Sequence, residues 1–263
     1  MPLLFSLKFR ILLSGHTIYF RNSFYRSKLI LISGAPGTGK STFGMTIALD
    51  QGILKCVSTD TVRAVMRSFV AKEVSPALHR SSYAEAFDGD DPVRSWKETC
   101  SVLQASVDSL VDDAIDRKVS LVVEGVNIIP STDCIKRWEE SGGVALGVLL
   151  QVSDAKAHKK LLRRRGFTTG NLEAENKKID SYDRIRLIQD EMMKLAHDSN
   201  WMRIEQRTEP DHLEMVAYGL YGSAANNNNK QKDAFHVTPP DPMHKHPVVD
   251  DELTMLEGDS GAV

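Results

Sequence analysis

The stretch LILISGAPGTGKSTF, residues 29–43, restricts the possible folds of this chain more than any other segment. Leu29 to Ile32 form a β-rich apolar run, glycines interrupt it, and a helix-compatible sequence begins near Ser41. Gly34, Ala35, Pro36, Gly37, Thr38, Gly39, Lys40 and Ser41 fit the pattern GxxxxGK[ST] in full. Glycines let successive backbone N–H groups turn inward around a phosphate, where a Cβ would clash. A helix that starts directly after the loop points its positive dipole end at the same place. The expected ligand is a nucleoside triphosphate held from Gly34 to Thr42. Lys40 would reach the β- and γ-phosphates, and the Ser41 hydroxyl would ligate Mg²⁺.

The rest of the chain alternates in step with this start. KLILIS, ILKCVSTD, VSLVVEGVN, VALGVLLQV and WMRIEQ read as strands, and STFGMTIALDQG, TVRAVMRSFV, SWKETCSVLQASVDSLVDDAIDRK, SDAKAHKKLLRRRG, DSYDRIRLIQDEMMKLAHDSN and PDHLEMVAYGLYG read as helices. In SWKETCSVLQASVDSLVDDAIDRK the residues Val102, Val107, Leu110, Val111 and Ile115 fall along one helical face. Strand alternating with helix means crossover connections and a mostly parallel sheet. The expectation is an α/β P-loop NTPase three-layer fold with a mostly parallel five-stranded sheet and a small lid. Ligands of such sheets sit beyond the carboxyl ends of the strands, so the residues just after each strand carry the chemistry.

Asp60 follows the second strand, with Arg63 about one helical turn on. Asp60 either caps the helix that begins there or places a carboxylate beside the transferring phosphate, where Arg63 would clamp an anionic acceptor. Glu124 ends the third strand, in VVEGVN. It is either a strand-end acid in a turn, or the acid that holds the Mg²⁺ shell or acts as a base. Between strands four and five, Arg163, Arg164 and Arg165 precede Gly166 where phosphotransferases of this layout carry a lid. Adjacent helical residues point apart, so at most two of these arginines face the phosphates; Arg164 is the catalytic candidate. Arg184 and Arg186 are a further option for an anionic ligand, or are paired at the surface.

The ends differ from the middle. Residues 1–27 are basic, with no acid before Asp50, and read as a targeting segment, a short structured lead-in or the stump of a larger domain. Residues 28–224 read as the catalytic domain. From 225 to 263 the chain is polar, with an Asn run and prolines, and reads as a disordered tail whose HKH is solvated. A net charge of -2 and an aromatic content of 7% argue against a nucleic-acid partner. No apolar run approaches the ~18 residues of a membrane span. The 3 cysteines are widely spaced and form neither a metal pair nor a disulfide framework. A cytoplasmic protein is expected, with mitochondrion or plastid as the alternative through the basic N-terminus; the oligomeric state stays unassigned.

ISGAPGTGKST, VSTDTVRAVMRSF, SPALHRSSYAEAF, VSLVVEGVNIIP and YDRIRLIQDEMMKLA, in this order, resemble the 2-phosphoglycerate kinase family of adenylate-kinase-like P-loop kinases, over residues 28 to 208. The segment EAENKKIDSYDR departs from the family pattern. The resemblance implies ATP at Gly34 to Thr42, acid chemistry at Asp60, and an acceptor cradle of Arg63, Arg67, Ser81, Ser82 and Tyr83. The implied reaction is transfer of the γ-phosphoryl group of ATP to the 3-hydroxyl of 2-phosphoglycerate. Longer plant relatives are linked to inositol phosphates, which widens the acceptor class to small phosphorylated anions. The competing functions are a polynucleotide or nucleoside kinase, and an ATP-binding switch in phosphate or inositol-phosphate metabolism. The switch would be marked by loss of Asp60, Glu124 or the lid arginines, all of which are present.

Overall fold

The computed structural model describes residues 12–13, 16–17, 26–87, 89–169, 179–206 and 211–226; the side chains of 12–13, 16–17, 164–169 and 223–226 are left aside. The described elements belong to one compact unit, residues 1–228. A two-residue pair, β1 (Leu12–Leu13) and β2 (His16–Thr17), runs antiparallel. Then follow β3 (Lys28–Gly34), α1 (Lys40–Asp50), β4 (Lys55–Ser58), α2 (Thr59–Arg67), α3 (Pro76–His79) and α4 (Pro92–Asp116). The chain continues with β5 (Leu121–Gly125), α5 (Asp133–Glu140), β6 (Val144–Gln151), α6 (Ala155–Thr169), α7 (Tyr182–Asp198), β7 (Met202–Glu205) and α8 (His212–Asn226). Because α8 runs to Asn226, the polar tail begins no earlier than two residues beyond the expected boundary at 224. The rest of that tail, most of the basic N-terminal segment and most of the lid lie outside the described residues.

Strands β3 to β7 form one sheet in the order β4-β5-β3-β6-β7. Every pairing in it is parallel. This is the P-loop three-layer arrangement, and the period-2 alternation of strand side chains builds it. Leu29 and Leu31 of β3, Leu121 and Val123 of β5, and Leu149 of β6 face one core, shared with α4, α5 and α7. Ile30 and Ile32, Val122, and Val148 and Leu150 face the other, shared with α1 and α8. Strands buried on both faces read as continuous apolar runs, which is why they were legible in the sequence.

Helix α4 starts at an Asp91 cap, whose carboxylate accepts from the N–H groups of Val93 and Arg94, with Pro92 at the first helical position. Its buried stripe is Trp96, Cys100, Leu103, Val107, Val111 and Ala114. The expected face was therefore rotated: Val102, Leu110 and Ile115 flank the stripe half-buried. Trp96 decides the rotation, because its indole N–H donates to the Val126 carbonyl at 2.8 Å from a fully buried position. That bond also ties α4 to the chain just past β5.

Replacing Trp96 with Phe removes this donor and leaves the buried Val126 carbonyl without it. The expected cost is about 1–3 kcal/mol, measured by urea denaturation. An unchanged midpoint would show that the bond does not hold the β5 end.

Candidate active site

The carboxyl ends of β3, β4 and β5 lie side by side, with Ser33 in register with Gly125 and Ser58 with Glu124. The glycine loop leaves β3 at its carboxyl end. Gly37 and Gly39 adopt φ of 84° and 82°, a left-handed backbone that strains any other residue. Both are also closely covered. A Cβ on Gly37 would stand 2.8 Å from Leu162 Cδ2, and one on Gly39 would stand 2.8 Å from Gln206 Nε2. Gly39 occupies the N-cap of α1 and no side chain caps that helix. A helix start without a side-chain cap is in keeping with a phosphate site.

Lys40 is buried, and its ammonium donates to the Ala35 carbonyl at 2.9 Å, folded over the loop. Thr38 braces the same carbonyl through its hydroxyl at 2.9 Å. The Ser41 hydroxyl donates to Glu124 Oε1 at 3.1 Å. Two residues far apart in sequence therefore meet at the mouth of the loop. Among the described residues no group of three or more His, Cys, Asp or Glu side chains could hold a metal. A hydroxyl beside a carboxylate fits Mg²⁺, which binds few protein ligands and takes the rest of its shell from phosphates and water.

Helix α2 is capped by Ser58, whose hydroxyl accepts from the Asp60 N–H at 3.1 Å. The Asp60 carboxylate is exposed and is not the cap. Arg63, on the same helix, is buried. It donates from Nε to the Leu78 carbonyl at 2.9 Å and from Nη1 to Ser82 Oγ at 3.0 Å. Burial, together with the neighbouring Arg67 charge, lowers its guanidinium to about 10, while Asp60 acts in the opposite direction. Ser82 in turn donates to Asn127 Oδ1 at 2.6 Å.

The expected cradle residues thus separate. Arg63 and Ser82 are brought together. Arg67 instead donates to the carbonyls of Leu78 and His79, satisfying the end of α3. Ser81 is half-buried, and its carbonyl accepts from the Ala84 N–H. Tyr83 packs against Ala35, Leu162 and Ile185, and its carbonyl accepts from Arg184. Arg184 also pairs with the buried Asp90 at 2.6 Å, and Arg186 donates to the Val152 and Ser153 carbonyls. Both of those arginines have protein partners. Arg164 lies on α6, and its side chain is outside the described residues.

Two residues at the site were not anticipated, Asn127 and His158. His158 is fully buried on α6, and a ring nitrogen lies 2.8 Å from the Pro36 carbonyl of the loop. One turn later Leu162 covers Gly37. The i, i+4 spacing of His158 and Leu162 in an otherwise basic helix was the available signal. Burial pushes the imidazole below its ordinary range, the Pro36 bond works against that shift, and the charges of Arg186 and Lys40 add to it.

The unfolded chain takes up a proton at this ring below about pH 6.5, whereas the folded chain resists it. Stability linked to His158 is therefore present above that pH and is lost as pH falls through it. Melting temperatures between pH 7.5 and 5.5 should decline more steeply for the native protein than for His158→Asn. Equal slopes would show that the ring is not held neutral against the loop.

No family model matches the chain. It is 27% identical to the 2-phosphoglycerate kinase of Methanocaldococcus jannaschii over 176 residues, 65% of this chain and 56% of that protein. It is 32% identical to the 2-phosphoglycerate kinase of Methanothermobacter thermautotrophicus over 143 residues, 50% of this chain and 45% of that protein. Among solved structures, shikimate kinase from Acinetobacter baumannii in complex with shikimate aligns with a TM-score of 0.42 and 13% identity, covering 78% of this chain and 96% of that one. The chain spans about half the length of the curated relatives it matches. Over that shared part, the chain is similar in sequence to the archaeal 2-phosphoglycerate kinases.

Proposed function

We propose that this protein is an ATP-dependent small-molecule kinase that transfers the γ-phosphoryl group to a hydroxyl of a small phosphorylated acid. The acceptor we favour is 2-phosphoglycerate, giving 2,3-bisphosphoglycerate, because the similar archaeal proteins carry that name. The observation that carries the reading is the contact between Ser41 and Glu124 at the open start of α1. It puts a metal-binding hydroxyl and an acid where the terminal phosphate of a bound nucleotide would lie.

In this reading the loop N–H groups hold the β-phosphate, and Lys40 leaves the Ala35 carbonyl to follow the γ-phosphate. Ser41, with Glu124 behind it, would hold Mg²⁺, and the metal would supply positive charge against that of the phosphates. Asp60 accepts the proton of the acceptor hydroxyl, and Arg63, with Ser82 bonded behind it, holds the acceptor's charged end. Arg164 brings positive charge from α6. Catalysis is chiefly positioning and electrostatics, since the phosphoryl transition state is loose.

The test is incubation with Mg-ATP and 2-phosphoglycerate, followed by phosphorus NMR. 2,3-Bisphosphoglycerate should form only when both substrates are present. No product, with ATP binding intact, would move the protein to the switch reading. Lys40→Ala should abolish transfer. Asp60→Asn should lower kcat by about 10²–10⁴-fold with little change in melting temperature, because Ser58 rather than Asp60 caps α2. A loss of stability with kcat intact would overturn the role given to Asp60.

A further inference from the structure

Arg63 is a buried cation with no carboxylate bonded to it among the described residues. Its Nε and Nη1 have partners, but Nη2 is buried with none among the described residues. The Ser82 hydroxyl that accepts from Nη1 must place its own proton on an acceptor, so Asn127 turns Oδ1 toward it. Asn127 Nδ2 is then also buried without a partner. Thr59 lies one turn before Arg63 on the same face of α2, packed against Gly125 of β5, and its hydroxyl is a third buried group with no partner. Asn127, Thr59 and Arg63 are respectively 2%, 0% and 5% exposed, so bulk water does not satisfy them.

These groups have one chemistry in common. A guanidinium N–H, an amide N–H and a hydroxyl can each donate, and the guanidinium adds a full charge. One water molecule has two lone pairs and no charge, which serves two donors and leaves the cation uncompensated. An oxyanion supplies several lone pairs and the missing charge together. The group lies one strand from Glu124, at the same carboxyl edge as the glycine loop. Residues 80–87, which form turns and bends, bring Ser82 to it, and Arg184 donates to the Tyr83 carbonyl of this segment and pairs with Asp90.

We propose that Arg63, Asn127 and Thr59 form the receptor for the anionic group that the acceptor already carries, and that Asn127 sets acceptor specificity. The identification of this ligand as a kinase acceptor rests on the function proposed above. An uncharged alcohol of similar size is rejected, because it leaves buried donors unpaired and the Arg63 charge uncompensated. Asn127 supplies a donor without adding a second buried cation, so one oxyanion balances the site.

The experiment is a calorimetric titration of 2-phosphoglycerate into protein saturated with Mg-ADP, so that the glycine loop is already filled. Glycerol 2-phosphate and D-glycerate, titrated in parallel, show whether phosphate or carboxylate is the group recognised. Asn127→Asp keeps the size of the side chain and its contact with Ser82, but turns a donor into a negative charge. It should weaken 2-phosphoglycerate binding about tenfold to a hundredfold and leave ADP affinity unchanged. Asn127→Ala should lose about tenfold. Binding of 2-phosphoglycerate to Asn127→Asp as tight as to the native protein overturns the proposal, as does failure of the native protein to bind any of the three anions. Product formation with an unchanged KM in Asn127→Asp removes the receptor and leaves the kinase. Asn127-dependent binding without any product removes the kinase and leaves the receptor.

Discussion

The uncapped start of α1 is the constraint around which the molecule is arranged. A helix that leaves its first N–H groups to a ligand gives up a capping contribution of about 1 kcal/mol, and its neighbours must hold the loop in shape. Three residues do so. Leu162 and His158 press on the loop from α6, and Gln206 covers Gly39 from the end of β7. The strand that feeds the loop is central, with β5 on one side and β6 on the other. Its neighbour β5 brings Glu124 to Ser41.

What was legible in the sequence was what repeats or what is locally compelled. Buried strands such as Leu29 to Ile32 and Leu121 to Val123 announce themselves as apolar runs, and the glycine loop is compelled by backbone geometry. Helix α5 escaped notice because only Cys134 and Trp138 of its eight residues are buried, one turn that gives no periodic pattern. The rotation of α4 escaped because a single indole hydrogen bond, Trp96 to Val126, decides which of two overlapping apolar stripes faces inward. Asn127 and His158 escaped for another reason. Their environment is assembled by segments distant in sequence, Ser82 for one and Pro36 for the other.

The arginines make the same point about charge. The sequence shows many near the expected acceptor, but not their partners. Arg80 is paired with Glu98 and donates to the Ser95 carbonyl. Arg67 finishes α3, and Arg184 donates to the Tyr83 carbonyl and pairs with Asp90. Each is structural because a carboxylate or a helix-end carbonyl is already within reach. Arg63 shares the Leu78 carbonyl with Arg67 but differs by its burial and by a buried Nη2 with no partner among the described residues, and this is a tertiary fact that spacing along α2 could not reveal.

The two ends of the site are balanced differently for a physical reason. In the proposed function the nucleotide brings excess negative charge to the glycine loop, and neutral N–H groups, Lys40 and a metal held by Ser41 would answer it. At Arg63 the charge is deeper and the donors are fewer, so the desolvation cost of the cation is not repaid until an anion arrives. A site of this kind favours a charged occupant over water more strongly than an exposed arginine would, since low polarity strengthens the pair once it forms. In the proposed function Asp60, about one turn before Arg63 on α2 and consumed by no cap, is the acid that receives the proton of the acceptor hydroxyl. An acceptor whose anion is fixed on Arg63 would have that hydroxyl turned toward Asp60.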